Sequence, residues 1–386
     1  MRDFENIRPF YDDEVDEAIA FLAQDPEFIR VAQSILPNVS QDELKMLLFS
    51  CHEVGDFQKR LAYPVLKSLL QKSAMSVNLV RAEKAKGIGA FTAISNHRDI
   101  VLDAALLNML FYEAGLGLVE IAIGDNLLIH PWIEKLVRLN GCFIVKRDVS
   151  LRSQLGISKQ LSAYIYNNIT QREKSVWIAQ REGRAKDSND RTQESILKML
   201  ALASDKDLVD SLIDLNIIPV TLSYEYDPCD YLKAKEFQMR RDNPEFRKSP
   251  ADDLQSMEMG ILGFKGEIVF TMSDPINKVL PAIKEQISEK FDQIATISEL
   301  IDRDIHLNYH FFPVNYLAYD ACTGENRFIA HYSAEQKKEI EIYFQKQIDK
   351  VEIENKDEEF LRARLYEMYA YPLINYLEAK EKKSIW

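Results

Sequence analysis

Six short apolar runs between residues 90 and 272 limit what this chain can fold into: "AFTAIS", "LVEIAIG", "GCFIVK", "SVWIAQ", "NIIPVTLSY" and "GEIVFTM". Each is too short for a buried helix and rich in β-branched or aromatic residues, which reads as a strand. Stretches of helical periodicity separate them. Strands alternating with helices predict an α/β fold, a mixed, largely parallel sheet flanked by helices. In such sheets ligands gather at the carboxyl ends of the strands, so the residues just past each run matter. "AFTAIS" leads into Asn96-His97-Arg98-Asp99, "GCFIVK" into Arg147-Asp148, "SVWIAQ" into Arg181-Glu182-Gly183-Arg184-Ala185-Lys186, and "PVTLSY" into Glu225-Tyr226-Asp227. Four polar clusters are thereby expected along one edge.

The flanks have a different texture. Residues 12–73 are helical in period, with Ser40 a plausible N-cap, and the pattern turns helical again from about 281. The expected division is a helical extension over 1–80, an α/β domain over 81–280 and a helical extension over 281–386. The net charge of −13 argues against bulk nucleic-acid binding. Between 131 and 200, however, thirteen Lys/Arg face seven Asp/Glu, a local surplus suited to an anionic small molecule or a membrane headgroup. Cys51, Cys142, Cys229 and Cys322 have no paired spacing and read as free thiols of a reducing compartment. The N-terminal "MRDFENIRPFYDDEV" lacks the regions of a signal peptide. The most apolar window, 101–124, carries Asp103, Glu113 and Glu120, too costly for a spanning helix. A soluble or peripheral, cytoplasmic protein is expected.

A lone histidine beside carboxylates at a strand-to-helix turn suits general-base work: its pKa lies near ~6.5, and a carboxylate on the far ring nitrogen fixes the tautomer. With no serine or cysteine elbow to act as nucleophile, His97 would deprotonate a hydroxyl that attacks an activated carbonyl directly. Arg and Lys after the later strands would hold an anionic acceptor. The plainer reading makes "SNHRD" a helix cap, with Ser95 or Asn96 satisfying free amides. His306 and His310, four apart, could share a helix face and bind metal, but without HExxH they suit a packed helix end, and no metal is expected. Tyr366, Tyr369, Tyr371, Tyr376 and Trp386 read as core or partner contacts, with membrane-interface depth as the alternative.

"SNHRDIVLDAALL" (95–107) resembles the first block of the glycerolipid acyltransferase superfamily, marked by His-x4-Asp. "IAIGDNLLIHPWIEKLVRLNGCFIVKRD" (121–148) resembles the second block of its glycerol-3-phosphate and dihydroxyacetone-phosphate acyltransferases. "REGRAK" (181–186) is similar to their Glu-Gly-Gly-Arg-Ser-Arg, and "IIPVTLSYEYDPCDYLKAKE" (217–236) to their fourth block. The resemblance implies an O-acyltransferase with His97 as general base, oriented by Asp103 or Asp99. It implies acceptor-phosphate contacts from Arg147, Arg184 and Lys186, with Arg98 and Glu182 counted among the substrate-binding residues. Gly183 would admit close backbone approach, while Pro219 and Tyr224-Glu225 would shape the pocket and the acyl-donor side.

Two departures from the family pattern stand out. The first block is His-x5-Asp if Asp103 is the partner, and on a continuous helix six steps of ~100° would put Asp103 roughly 240° from His97. In the third block Arg181 stands at the family's glutamate position and Glu182 one place later, while Arg184 and Lys186 keep the basic positions. The resemblance further implies acyl-CoA or acyl carrier protein as co-substrate, no other cofactor, a glycerophosphate-type acceptor (lysophosphatidate or an aminolipid being the alternatives), no nucleic acid, and peripheral placement at the cytoplasmic face of the inner membrane. An inactive fold binding lipid or acyl carrier is the alternative from another class.

Overall fold

The computed structural model describes residues 4–147 and 151–382. All six apolar runs are strands, and a seventh precedes them: β1 (Ser76–Val80), β2 (Thr92–Ser95), β3 (Glu120–Gly124), β4 (Cys142–Val145), β5 (Val176–Ala179), β6 (Ile217–Tyr224) and β7 (Glu267–Met272). They form one sheet in the order β1-β7-β6-β2-β5-β3-β4. The strands β2 to β6 pair with one another only in parallel, β7 runs antiparallel to β6, and β1 is parallel to β7. A parallel sheet needs cover on both faces, and every residue of β2 and β6 is buried. Helices Tyr63–Ser73 and Leu102–Glu113 pack on one face, with Leu106, Leu107 and Phe111 fully enclosed. Helices Leu151–Thr170, Glu194–Leu200, Leu208–Ile213 and Lys290–Leu307 cover the other.

Two features redraw the expected boundaries. The sheet begins at β1, inside the stretch expected to be wholly helical. The helix Lys290–Leu307 buries Ile297, Ile301 and Ile305 in the sheet's own core, and the Ile305 carbonyl accepts from Thr221 Oγ1 at 2.9 Å. The α/β layer is thus completed by residues beyond 280. The remaining C-terminal helices form a separate apolar cluster against helix Asp230–Asp242. At the other end, the Ile144 amide donates to the Ile7 carbonyl at 2.8 Å, so the N-terminal segment covers the free edge of β4. Arg138 holds that segment down through the Arg8 and Asn6 carbonyls at 2.5 and 3.1 Å, so one cation of the basic island is spent on structure.

Candidate active site

The strand β2 is central, and the chain leaves it as a turn: residues 96–101 are non-helical and helix Leu102–Glu113 starts only afterwards. That turn answers the wheel problem. Asp103 Oδ2 accepts from His97 Nδ1 at 2.7 Å, from the Arg98 amide at 2.6 Å and from the Asp99 amide at 3.0 Å, while Oδ1 accepts from the Tyr224 hydroxyl at 2.8 Å. An ionised carboxylate only accepts, so Nδ1 carries the proton and Nε2 is the free base. Burial alone would raise the Asp103 carboxyl, but the hydrogen bond and charge of His97, with the Asp99 and Arg98 amides, hold it below the usual value. The Tyr224 hydroxyl is pushed well above its ordinary pKa by burial and by the charges of Asp103 and Asp99, so it remains a donor.

Asp103, not Asp99, meets the imidazole. Asp99 instead caps the helix, accepting from the Val101 and Leu102 amides at 2.9 and 2.7 Å. Its other oxygen has no hydrogen-bond partner among the described residues and lies so close to Gly260 that a Cβ there would sit 2.0 Å away. Burial first, then the Asp103 charge, raises its pKa. The cap therefore exists, but neither Ser95 nor Asn96 supplies it. Asn96 clamps β6, its amide bonding both the Leu222 carbonyl (2.9 Å) and the Leu222 N–H (2.8 Å). The His97 side chain is 16% exposed and meets Trp177 edge to face at 5.7 Å, and the Trp177 indole donates to Ser95 Oγ at 2.9 Å.

Arg98 corrects the sequence reading. Expected to bind substrate, it is 3% exposed and forks onto Asp190 at 2.9 and 2.5 Å, so its guanidinium faces the interior. Lys186 is also engaged, its ammonium paired with Glu236, which takes Arg240 at 2.9 Å as well. Arg147 lies across Gly124, where a Cβ would approach its Nε to 2.7 Å, and its amide donates to Asp125 Oδ1 at 2.9 Å. These two roles, a glycine for close approach and an Asx-type anchor, went unread in the sequence. Glu182 is exposed and stands 3.9 Å from Arg147, so the turns after β4 and β5 do meet. Asp148 lies outside the described residues, as does Trp386.

Gly183 has φ +67° with open space where a Cβ would be; its glycine serves the left-handed turn rather than close packing. Pro219 is buried in β6 opposite Ile94, its carbonyl taking the Ser273 amide at 2.9 Å, and belongs to the sheet. Glu225 accepts from the Glu267 amide at 3.0 Å. Arg184 is half-buried, with Nη1 enclosed and without a partner among the described residues. It lines a cleft with Lys186, Lys233, Lys235 and Lys248 against Glu236 and Asp252, floored by Leu232, Met239 and Phe246. Cations outnumber carboxylates there, and Arg184 is close enough to pull on the Asp99 carboxyl. His306 and His310 do not share a face, because the helix ends at Leu307; the His306 ring bonds the Asp190 carbonyl at 2.8 Å, and His310 packs on Phe312.

Residues 76–223 match the family model described as Acyltransferase. No curated protein matches the chain. Among solved structures, the 1-acyl-sn-glycerophosphate acyltransferase PlsC from Thermotoga maritima aligns over 77% of this chain and 96% of its own, at 12% identity and a TM-score of 0.37. That likeness is too loose to inform individual residues. The family match spans β1 through the body of β6 and encloses the His97–Asp103 pair. Residues 76–223, which hold the His97–Asp103 pair, are thus an acyltransferase domain by their match to that family model.

Proposed function

We propose that the protein transfers a fatty acyl group from a thioester, on CoA or acyl carrier protein, to a hydroxyl of glycerol-3-phosphate or a related glycerophosphate. One observation carries the reading: a histidine whose Nδ1 is tied to a buried carboxylate at 2.7 Å, on a sheet edge whose neighbouring turn holds a guanidinium nitrogen enclosed without a partner among the described residues. A tied Nδ1 leaves Nε2 to act. It takes the proton of the acceptor hydroxyl as that oxygen attacks the thioester carbonyl. The tetrahedral intermediate expels the thiolate, and the imidazolium returns the proton to sulfur, so ester and free thiol are the products. Arg184, with Arg147 on the adjoining turn, holds the acceptor phosphate, a charge-assisted contact in which a guanidinium gives two parallel bonds.

In this reading no metal or redox group takes part. The protein works peripherally at the cytoplasmic face of the inner membrane, where acceptor products accumulate; among the described residues no helix is long and apolar enough to cross a membrane. Full-length protein incubated with acyl-CoA or acyl carrier thioester and a panel of acceptors tests the proposal. Turnover of glycerol-3-phosphate or dihydroxyacetone phosphate, lost by at least ~10²-fold in His97→Ala, supports it. Turnover confined to a non-phosphorylated acceptor, or none with any acceptor, overturns it.

A further inference from the structure

The bonds around His97 extend well past Asp103. The imidazole sits on a turn whose neighbours are both clamped: Asn96 by both backbone groups of Leu222, and Arg98 by its fork onto Asp190. The Arg98 carbonyl also accepts from Lys233 Nζ at 3.1 Å, and its amide feeds Asp103. Arg98 thus links three directions through one residue. Asp190 is in turn fixed from outside the family-matched segment: its carbonyl accepts from His306 Nε2 at 2.8 Å, and two residues on, the Thr192 amide and hydroxyl both reach Asp302 at 2.7 and 2.6 Å. Asn96, Arg98, Asp190 and His306 are each 4% exposed or less.

The geometry points to Asp190 as a positioning residue for His97, seated by His306 of helix Lys290–Leu307. This rests on the acyl-transfer reading of the site. The argument is one of degrees of freedom. A guanidinium held by two parallel bonds on one carboxylate cannot rotate without breaking both. Its backbone N–H is one of the four donors on Asp103, so a shift of Arg98 displaces the carboxylate that fixes the imidazole. A displacement of about 1 Å in a reacting group can cost up to ~10²-fold in rate. The helix Lys290–Leu307, by sequence part of an extension, is then part of the catalytic apparatus. His306 is the contact through which it acts.

The test compares Asp190→Asn, His306→Leu and His306→Gln in the full chain. Asp190→Asn leaves the Arg98 guanidinium buried without a counter-charge, and that change threatens folding itself. The His306 pair removes no charge from the network, since burial lowers the His306 pKa and keeps its ring neutral. In Asp190→Asn, kcat toward the glycerophosphate acceptor falls by at least ~10-fold with KM within about twofold. In His306→Leu the same split appears at smaller size, and His306→Gln, which keeps a donor toward the Asp190 carbonyl, restores it. The NMR titration of the His97 ring moves in the same variants, a change that a merely structural role would not produce. Folded variants with wild-type kcat and an unmoved His97 titration overturn the inference; should Asp190→Asn not fold, the His306 pair decides by the same criteria. If wild-type protein acylates no acceptor, the functional reading falls by itself, and the His97 titration still judges the positioning claim.

Discussion

Asp103 and Asp230 are both fully enclosed carboxylates, and each accepts four hydrogen bonds, yet their surroundings push them in opposite directions. Asp103, at the sheet edge, faces an imidazole and two backbone amides, and it is held below the usual carboxyl range. Asp230, where the C-terminal helices meet helix Asp230–Asp242, faces only neutral donors. They are the Tyr343 and Tyr369 hydroxyls, the Gln347 amide and the Tyr231 amide, at 2.6 to 2.8 Å. Burial, with Asp227 nearby, pushes its pKa up to about 7 against the pull of those donors. The number of hydrogen bonds is the same; what differs is a partner able to take up positive charge. A carboxylate meant to stabilise an imidazolium needs that partner, whereas a carboxyl that ties helices together does not.

The largest effect should come from removing the charge of Asp103 without changing its shape. Asp103→Asn keeps an oxygen for the His97, Arg98 and Asp99 donors and turns its NH2 to the Tyr224 oxygen, so what the site loses is the negative charge that stabilises the imidazolium formed in the reaction. Steady-state assay with acyl-CoA and a glycerophosphate acceptor should show a fall in kcat on the order of 10³-fold, with the circular dichroism spectrum retained. A kcat within about threefold of wild type would mean that the carboxylate does not serve the imidazole. Asp230→Leu should act on stability instead. It leaves two hydroxyls and two amides without their acceptor in the interior, at a cost of about 2 kcal/mol. A urea titration reads this as a lower midpoint, and tryptic cleavage should appear first in the C-terminal helices. An unchanged midpoint would mean that Asp230 does not secure those helices.

The contrast also explains what the sequence made legible. All six apolar runs were recognisable because β2 to β7 are covered on both faces, so their composition is continuous rather than alternating. The edge strand β1 interleaves Ser76 and Asn78 with apolar residues and stays half-exposed, which gives too weak a pattern over five residues. His97 and the cations at strand ends were visible as residue types at a topological edge. Their partners were not. Arg98 reads as a ligand-binding cation until Asp190, 92 positions away, is seen under it; Lys186 does so until Glu236 appears 50 positions on. His306 reaches Asp190 across 116 positions. Local pattern carries no information on pairings at that range, so sequence reading overcounted free charge and undercounted ion pairs. The spacing of His97 and Asp103 was informative for the opposite reason: it does not fit a continuous helix, and residues 96–101 form the turn that lets Asp103 reach the ring.

The smallest effect is also the sharpest test of the comparison. Because the folded-state pKa of Asp230 lies near 7 and its ordinary value is 3.8, the native state holds its proton more tightly than the unfolded chain does. The stability this contributes is fully present below about pH 4, is lost as pH rises toward 7, and is level above that. Asp230→Asn should remove the dependence, since a neutral amide offers one oxygen to the Gln347 and Tyr231 donors and its NH2 to the two tyrosine oxygens. Burial likewise pushes Asp302 and Asp304 up to about 6, but they titrate in both proteins and cancel in the difference. Melting temperatures of the two proteins between pH 4 and 8 should therefore diverge in favour of the variant as pH rises to 7 and then run parallel. The gap should reach a few degrees, about 2 °C for each kcal/mol in a chain this long. Asp103→Asn, measured alongside, should show no such trend: its carboxylate is stabilised by folding, a contribution level from pH 8 down to about 4 and lost only below that. If the Asp230 difference were flat across the range, the charge of the neighbours would not be what separates the two carboxylates.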